Sequence, residues 1–156
     1  MREAVFDIHD EIQQLNFGET LAKSVDNKAC VIFLQGDLGS GKTTLTRGFL
    51  RAMGYADKVK SPTYTLIEVY DFSAVTVLHI DLYRLNNASE IEALSLRDYL
   101  QNNKAIFIIE WPEKASEKLP RPDLVCELLF HRNGRRLKFS ATTLRGEEIL
   151  QHMDSA

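Results

Sequence analysis

Three features of the sequence predict an α/β fold. The segment GDLGSGKTT (36–44) sets Gly36, Gly41, Lys42 and Thr43 at the spacing of a phosphate loop. An uninterrupted apolar run, ACVIFLQ (29–35), precedes it, and TTLTRGFLRAM (43–53) follows with Leu45, Phe49 and Met53 four apart on one helical face. A second continuous run, AIFIIEW (105–111), has the same character, as strands buried on both faces of a parallel sheet do. Strand, loop and helix stand in the order that the loop motif needs.

The remaining elements follow in turn. AVFDI (4–8) reads as a short strand, and DEIQQLNFGETLAKSV (10–25) as a helix interrupted near Gly18. Gly54 is a natural stop for the helix after the loop. SPTYTLIEVY (61–70) is β-rich, with Pro62 favouring an extended entry, and VTVLHID (75–81) is the next strand. NASEIEALSLRDYL (87–100) predicts a capped helix with Ile91, Leu94 and Leu100 inward. Near the end, DLVCELLF (123–130) and RLKFSATT (136–143) flank HRNGR, where Asn133-Gly134 is a strong hairpin signal. GEEILQHM (146–153) adds one helical turn or two.

At 156 residues the chain predicts one domain over 1–156, without repeats, low-complexity segments or linkers. The formal net charge of −3 provides no general field for nucleic acid, so RNA would be met through a partner or a local patch. Cys30 and Cys126 sit in apolar runs without metal or redox spacing and read as buried thiols. The N-terminus is too charged for a signal peptide and no apolar run approaches a membrane span, so a cytoplasmic protein with no membrane partner is expected.

The loop residues carry the chemistry. The backbone from Gly36 through Asp37, Leu38, Gly39, Ser40 and Gly41 to Lys42, Thr43 and Thr44 would wrap a phosphate chain, aided by the helix dipole. Lys42 would reach the β- and γ-phosphates of a nucleotide, and the Thr43 hydroxyl would ligate Mg²⁺. Two predicted strands end in acids, Asp81 and Glu110, and ligands of open parallel sheets bind at the carboxyl ends of strands. Asp81 would hold the metal directly or through water. Glu110 would be a second Mg²⁺ ligand or would orient and deprotonate the attacking water, and the residues leave both roles open.

Other residues have two readings. Thr63 and Thr65 are good strand formers, but hydroxyls just after the loop helix also suit a γ-phosphate sensor. Arg132 is either a solvated turn residue or a cation over an adenine ring. Trp111 is a base contact or, more simply, a core or interface anchor. His79 most simply packs in its strand, and Tyr83-Arg84 most simply form a solvated exit loop.

GDLGSGKTTLTRG (36–48), SPTYTL (61–66), HIDLYRL (79–85) and IIEWPEK (108–114), in that order and at these separations, resemble the bacterial TsaE (YjeE) family. The resemblance spans nearly the whole chain. It implies a P-loop NTPase-like α/β fold, with a central parallel sheet extended by antiparallel strands and helices on both faces. It also implies a weak ATPase using ATP/ADP and Mg²⁺, with TsaB and TsaD as partners in threonylcarbamoyladenosine modification of tRNA. Within that family the second block acts as a nucleotide-sensing switch, which favours the sensor reading of Thr63 and Thr65.

Two other classes share the loop. A small-molecule or nucleotide kinase would need an acceptor pocket and a basic lid, for which HRNGRR (131–136) is short. A non-catalytic nucleotide-binding scaffold would release no phosphate. A regulatory GTPase is disfavoured, because neither DNKA (26–29) nor NNKA (102–105) supplies Asn-Lys-x-Asp.

Overall fold

The computed structural model describes residues 2–60, 62, 65–101 and 103–154. Strand β1 (Glu3–Ile8) leads into helix α1 (Glu11–Val25), capped by the Asp10 carboxylate accepting the Gln13 N–H. Then come β2 (Cys30–Gln35), α2 (Lys42–Ala52), the hairpin of β3 (Ile67–Asp71) and β4 (Thr76–Asp81), a 3₁₀ segment (Ala88–Leu94) and α3 (Leu96–Leu100). The chain ends with β5 (Ala105–Glu110), two short 3₁₀ turns, the hairpin of β6 (Leu124–His131) and β7 (Gly134–Ala141), and α4 (Leu144–Asp154).

All seven strands form one sheet in the order β1-β7-β6-β2-β5-β4-β3. β6, β2, β5 and β4 run parallel, while β3, β7 and β1 each pair antiparallel with their neighbour. The expected parallel centre with antiparallel additions is present. Alternate side chains of the central strands feed two cores. Ile32, Leu34 and Ile108 meet Leu21, Leu45, Phe49 and Ile149 on one face, which α1, α2 and α4 cover. Val31, Phe33, Ile80 and Phe107 meet Ile91 and Leu96 on the other. Removing a side chain such as Phe49, 1 % exposed, costs about 3–5 kcal/mol in such a core.

Four local expectations are corrected. Helix α1 is unbroken at Gly18, which serves packing instead. A Cβ on Gly18 would lie 2.3 Å from the Leu45 carbonyl oxygen, and one on Gly48 2.0 Å from that of Leu15, so these glycines let α1 and α2 touch backbone to backbone. The single helix expected over 87–100 is split at Ser95, which takes a left-handed conformation (φ 55°). The break turns Leu96 inward beside Ile91, whereas Leu100 is exposed. The second hairpin turns on Arg132-Asn133, one residue earlier than expected, because His131 pairs with Gly134 and Arg132 takes φ 55°. Finally, α4 extends for 11 residues. Both cysteines are buried, as expected, and burial pushes the Cys30 thiol up to about 12.

Candidate nucleotide site

The glycine-rich loop joins the carboxyl end of β2 to the start of α2. Gly41 caps that helix with φ 98°, and a Cβ there would lie 2.2 Å from the Gln14 side chain. Both facts require glycine. From α1, Gln14 Nε2 donates to the carbonyls of Gly41 (2.8 Å) and Ser40 (3.2 Å). From β7, Arg135 donates to the carbonyls of Gly39 (3.0 Å) and Ser40 (3.2 Å), its guanidinium 4.4 Å from the Phe130 ring. Elements from both ends of the chain thus grip the loop from outside.

Lys42 turns inward, donating to the carbonyls of Gly36 (2.5 Å) and Asp37 (3.0 Å), with Nζ 4.5 Å from the centre of the Trp111 ring. Burial lowers its pKa below that of a free lysine, against the upward pull of Glu110 and Asp81. Those carboxylates stand directly across the strand pair, since β4–β5 register sets Asp81 opposite Glu110. Asp81 accepts the Tyr83 N–H at 3.0 Å, yet burial, reinforced by the nearby Glu110, raises its pKa above the usual carboxylate value. Glu110 is 2 % exposed and bonds His79.

A cleft of about 630 Å³ lies between these groups. Leu38, Gly39, Gly41, Lys42, Thr43 and Thr44 form the loop wall, and Asp81, Tyr83, Arg84, Glu110 and Trp111 the strand wall. A buried Ser40 hydroxyl without a partner among the described residues, a near-dehydrated ammonium and hard oxygens from Thr43, Asp81 and Glu110 fit a phosphate chain with Mg²⁺. Among the described residues no three His, Cys, Asp or Glu side chains form a metal cage. Mg²⁺ commonly takes one or two carboxylates and completes its shell with phosphate and water.

The structure also places the less certain residues. Tyr83 and Arg84 form the exposed turn expected after β4, and Trp111 packs against the core as an anchor would, yet all three also line the cleft, with the Tyr83 and Trp111 rings 5.1 Å apart. Trp111 holds φ 57°, a strained conformation for a non-glycine residue, of a kind that clusters at functional sites. Thr65 is exposed, its hydroxyl 3.3 Å from both the Ile67 carbonyl and a Glu68 carboxylate oxygen, and it lines no part of the cleft. Thr63 lies outside the described residues. Arg132 is exposed at the hairpin tip. The neighbouring cleft of about 280 Å³ is walled instead by Asn133, Gly134 and Arg135. Two of the three arginines that a kinase lid would carry are engaged elsewhere, Arg135 with the loop and Arg136 with Asp7 at 2.8 Å. Gln14 and Arg135 have no local motif, and sequence reading missed both.

Fold and site together define an α/β protein with a mostly parallel central sheet, its glycine-rich loop facing carboxylates at the ends of parallel strands. The family model of the threonylcarbamoyl adenosine biosynthesis protein TsaE matches residues 8–137. The chain belongs to the TsaE family. It is 42% identical over 147 residues, 92% of each chain, to the tRNA threonylcarbamoyladenosine biosynthesis protein TsaE of Haemophilus influenzae. The protein of the same name from Bacillus subtilis is 34% identical, the match covering 79% of this chain and 77% of that protein. The crystal structure of Bacillus subtilis YdiB shares the fold, with a TM-score of 0.82 at 24% identity over 99% of this chain and 95% of its own. Among the described residues no helix is long and apolar enough to cross a membrane.

Proposed function

We propose that this protein is a slow, Mg²⁺-dependent ATPase that supports tRNA threonylcarbamoyladenosine biosynthesis in the cytoplasm, with TsaB and TsaD as partners. The observation that carries the reading is the facing of Lys42 and Thr43 with Asp81 and Glu110 across one cleft. The names of the relatives connect that chemistry to tRNA modification.

Lys42 has three ammonium donors, and its two carbonyl contacts leave one for a phosphate oxygen. The Thr43 hydroxyl and Asp81 would hold Mg²⁺, which when bound neutralises charge on the transferring phosphoryl group. Glu110 Oε2 is held by His79, so Oε1 is the atom available to orient water and take its proton, or to complete the metal shell. Nucleotide turnover would reset the modification complex, while the group transfer itself belongs to a partner.

The test is phosphate release by the pure protein, alone and with the TsaB–TsaD pair. Slow release that the pair accelerates is expected. No release under either condition, or transfer of the γ-phosphate to an acceptor other than water, overturns the reading.

A further inference from the structure

The cleft accounts for Glu110 but not for the histidine behind it. In β4, residues two apart share a face, so His79 lies beneath Asp81 on the face that α2 covers. Register places His79 opposite Ile108 and therefore diagonal to Glu110. Its Nε2 lies 2.5 Å from Glu110 Oε2, and His79 and Glu110 are 0% and 2% exposed. A polar pair this deep in a parallel sheet costs desolvation, and valine would fill the histidine position better by strand propensity alone.

The hydrogen in this contact can be assigned. An ionised carboxylate only accepts, so Nε2 must donate. His79 Nδ1 is buried and has no partner among the described residues. An unfilled lone pair there is tolerable, whereas an orphaned buried N–H is rare. The Nε2–H tautomer satisfies both conditions.

A glutamate side chain has three rotatable bonds, and the carboxylate that serves hydrolysis must present one oxygen in a fixed direction. We propose that His79 is a positioning residue, its Nε2–H anchoring Glu110 Oε2 so that Oε1 alone faces the cleft. The inference rests on the reading above, in which Glu110 serves ATP hydrolysis, and it holds whether Oε1 meets water or metal.

Two measurements test it. Nitrogen NMR of labelled histidine in the wild-type protein, with His79→Gln identifying the resonance, should show the Nε2–H tautomer; an Nδ1–H tautomer overturns the anchor. Kinetics then test its purpose. His79→Leu should lower kcat by about 10–100-fold while KM for ATP changes less than about threefold, the signature of a misplaced catalytic group. His79→Gln, which returns an amide donor near the Nε2 position, should recover most of the rate. In a Glu110→Gln background, His79→Leu should cost no further rate. Equal losses in the Leu and Gln variants that follow their melting temperatures, or fully additive losses with Glu110→Gln, overturn the proposal in favour of a packing role. A wild type that releases no phosphate overturns the ATPase reading, and the tautomer still decides the anchor.

Discussion

The two walls of the cleft are built on opposite plans. The loop wall is nine consecutive residues, 36–44, whose shape comes from glycine conformations and from carbonyls held by Gln14 and Arg135. The strand wall joins side chains far apart in sequence, and only the register of β4 against β5 brings Asp81, Glu110 and His79 together. The loop wall presents backbone and one ammonium, which suits holding an anion. The strand wall presents buried carboxylates, which suits moving protons or holding metal. Binding and turnover should therefore separate when the walls are altered one at a time.

The largest effect is expected from the paired variants Lys42→Ala and Glu110→Gln. Lys42→Ala should lose ATP affinity, and with it hydrolysis, in a folded protein. Glu110→Gln should bind ATP nearly as the wild type does while phosphate release slows by about 10²–10⁴-fold. Equilibrium binding and phosphate release on both proteins decide the matter, and a similar loss of affinity in both would erase the distinction between the walls.

Next in size is Gly48→Val, aimed at the contact that seats α2. A Cβ there meets the Leu15 carbonyl oxygen at 2.0 Å, so α1 and α2 must part. Overpacking of this severity costs about 3 kcal/mol, equivalent to a Tm lower by roughly 6–12 °C. A thermal melt within error of the wild type would show that the helices do not need their close approach.

A smaller loss should follow when the outer grip on the loop is loosened. Gln14→Leu and Arg135→Met each remove hydrogen bonds to loop carbonyls, worth about 1 kcal/mol apiece. About a tenfold weaker ATP affinity is expected from each, with kcat for bound ATP unchanged. A fall in kcat with affinity intact would mean that these residues act on the strand wall.

The smallest effect runs the other way. Burial raises the Asp81 pKa, so between its unfolded and folded values the native protein holds the extra proton and stability falls as pH rises. Asp81→Asn removes that loss and should raise Tm at neutral pH, while weakening Mg²⁺-dependent hydrolysis. The gain should shrink as pH falls and vanish in melts below about pH 3, where the carboxyl is protonated in both states. A variant less stable than wild type at pH 7 would contradict this sign.

Legibility in the sequence followed the same division. The loop, its flanking strand and helix, and the two acids at strand ends could be read because each is a local pattern. Gln14 and Arg135 could not, since their partners lie 26 and 95 residues away and nothing around them marks a site. His79 looked like a strand residue because burial and a carboxylate neighbour are properties of sheet register, not of HID. Gly18 resembled a helix defect until the second helix stood against it. The segment 87–100 has helical periodicity, but the sheet required Leu96 as well as Ile91, five residues apart. A single α-helix cannot point both inward, and Ser95 absorbs the turn.

The grip of Arg135 on the loop has a consequence for how the protein is made. A ribosome delivers the chain from its N-terminus, so residues 36–44 emerge long before the arginine that fastens them. The central strand β2 likewise waits for β6, its neighbour on one side, until residue 124 has been added. Until residue 135 has been added the loop has only the Gln14 half of its outer fastening. A message truncated before that hairpin would thus yield a chain that carries the whole motif with only half of the outer grip that holds it.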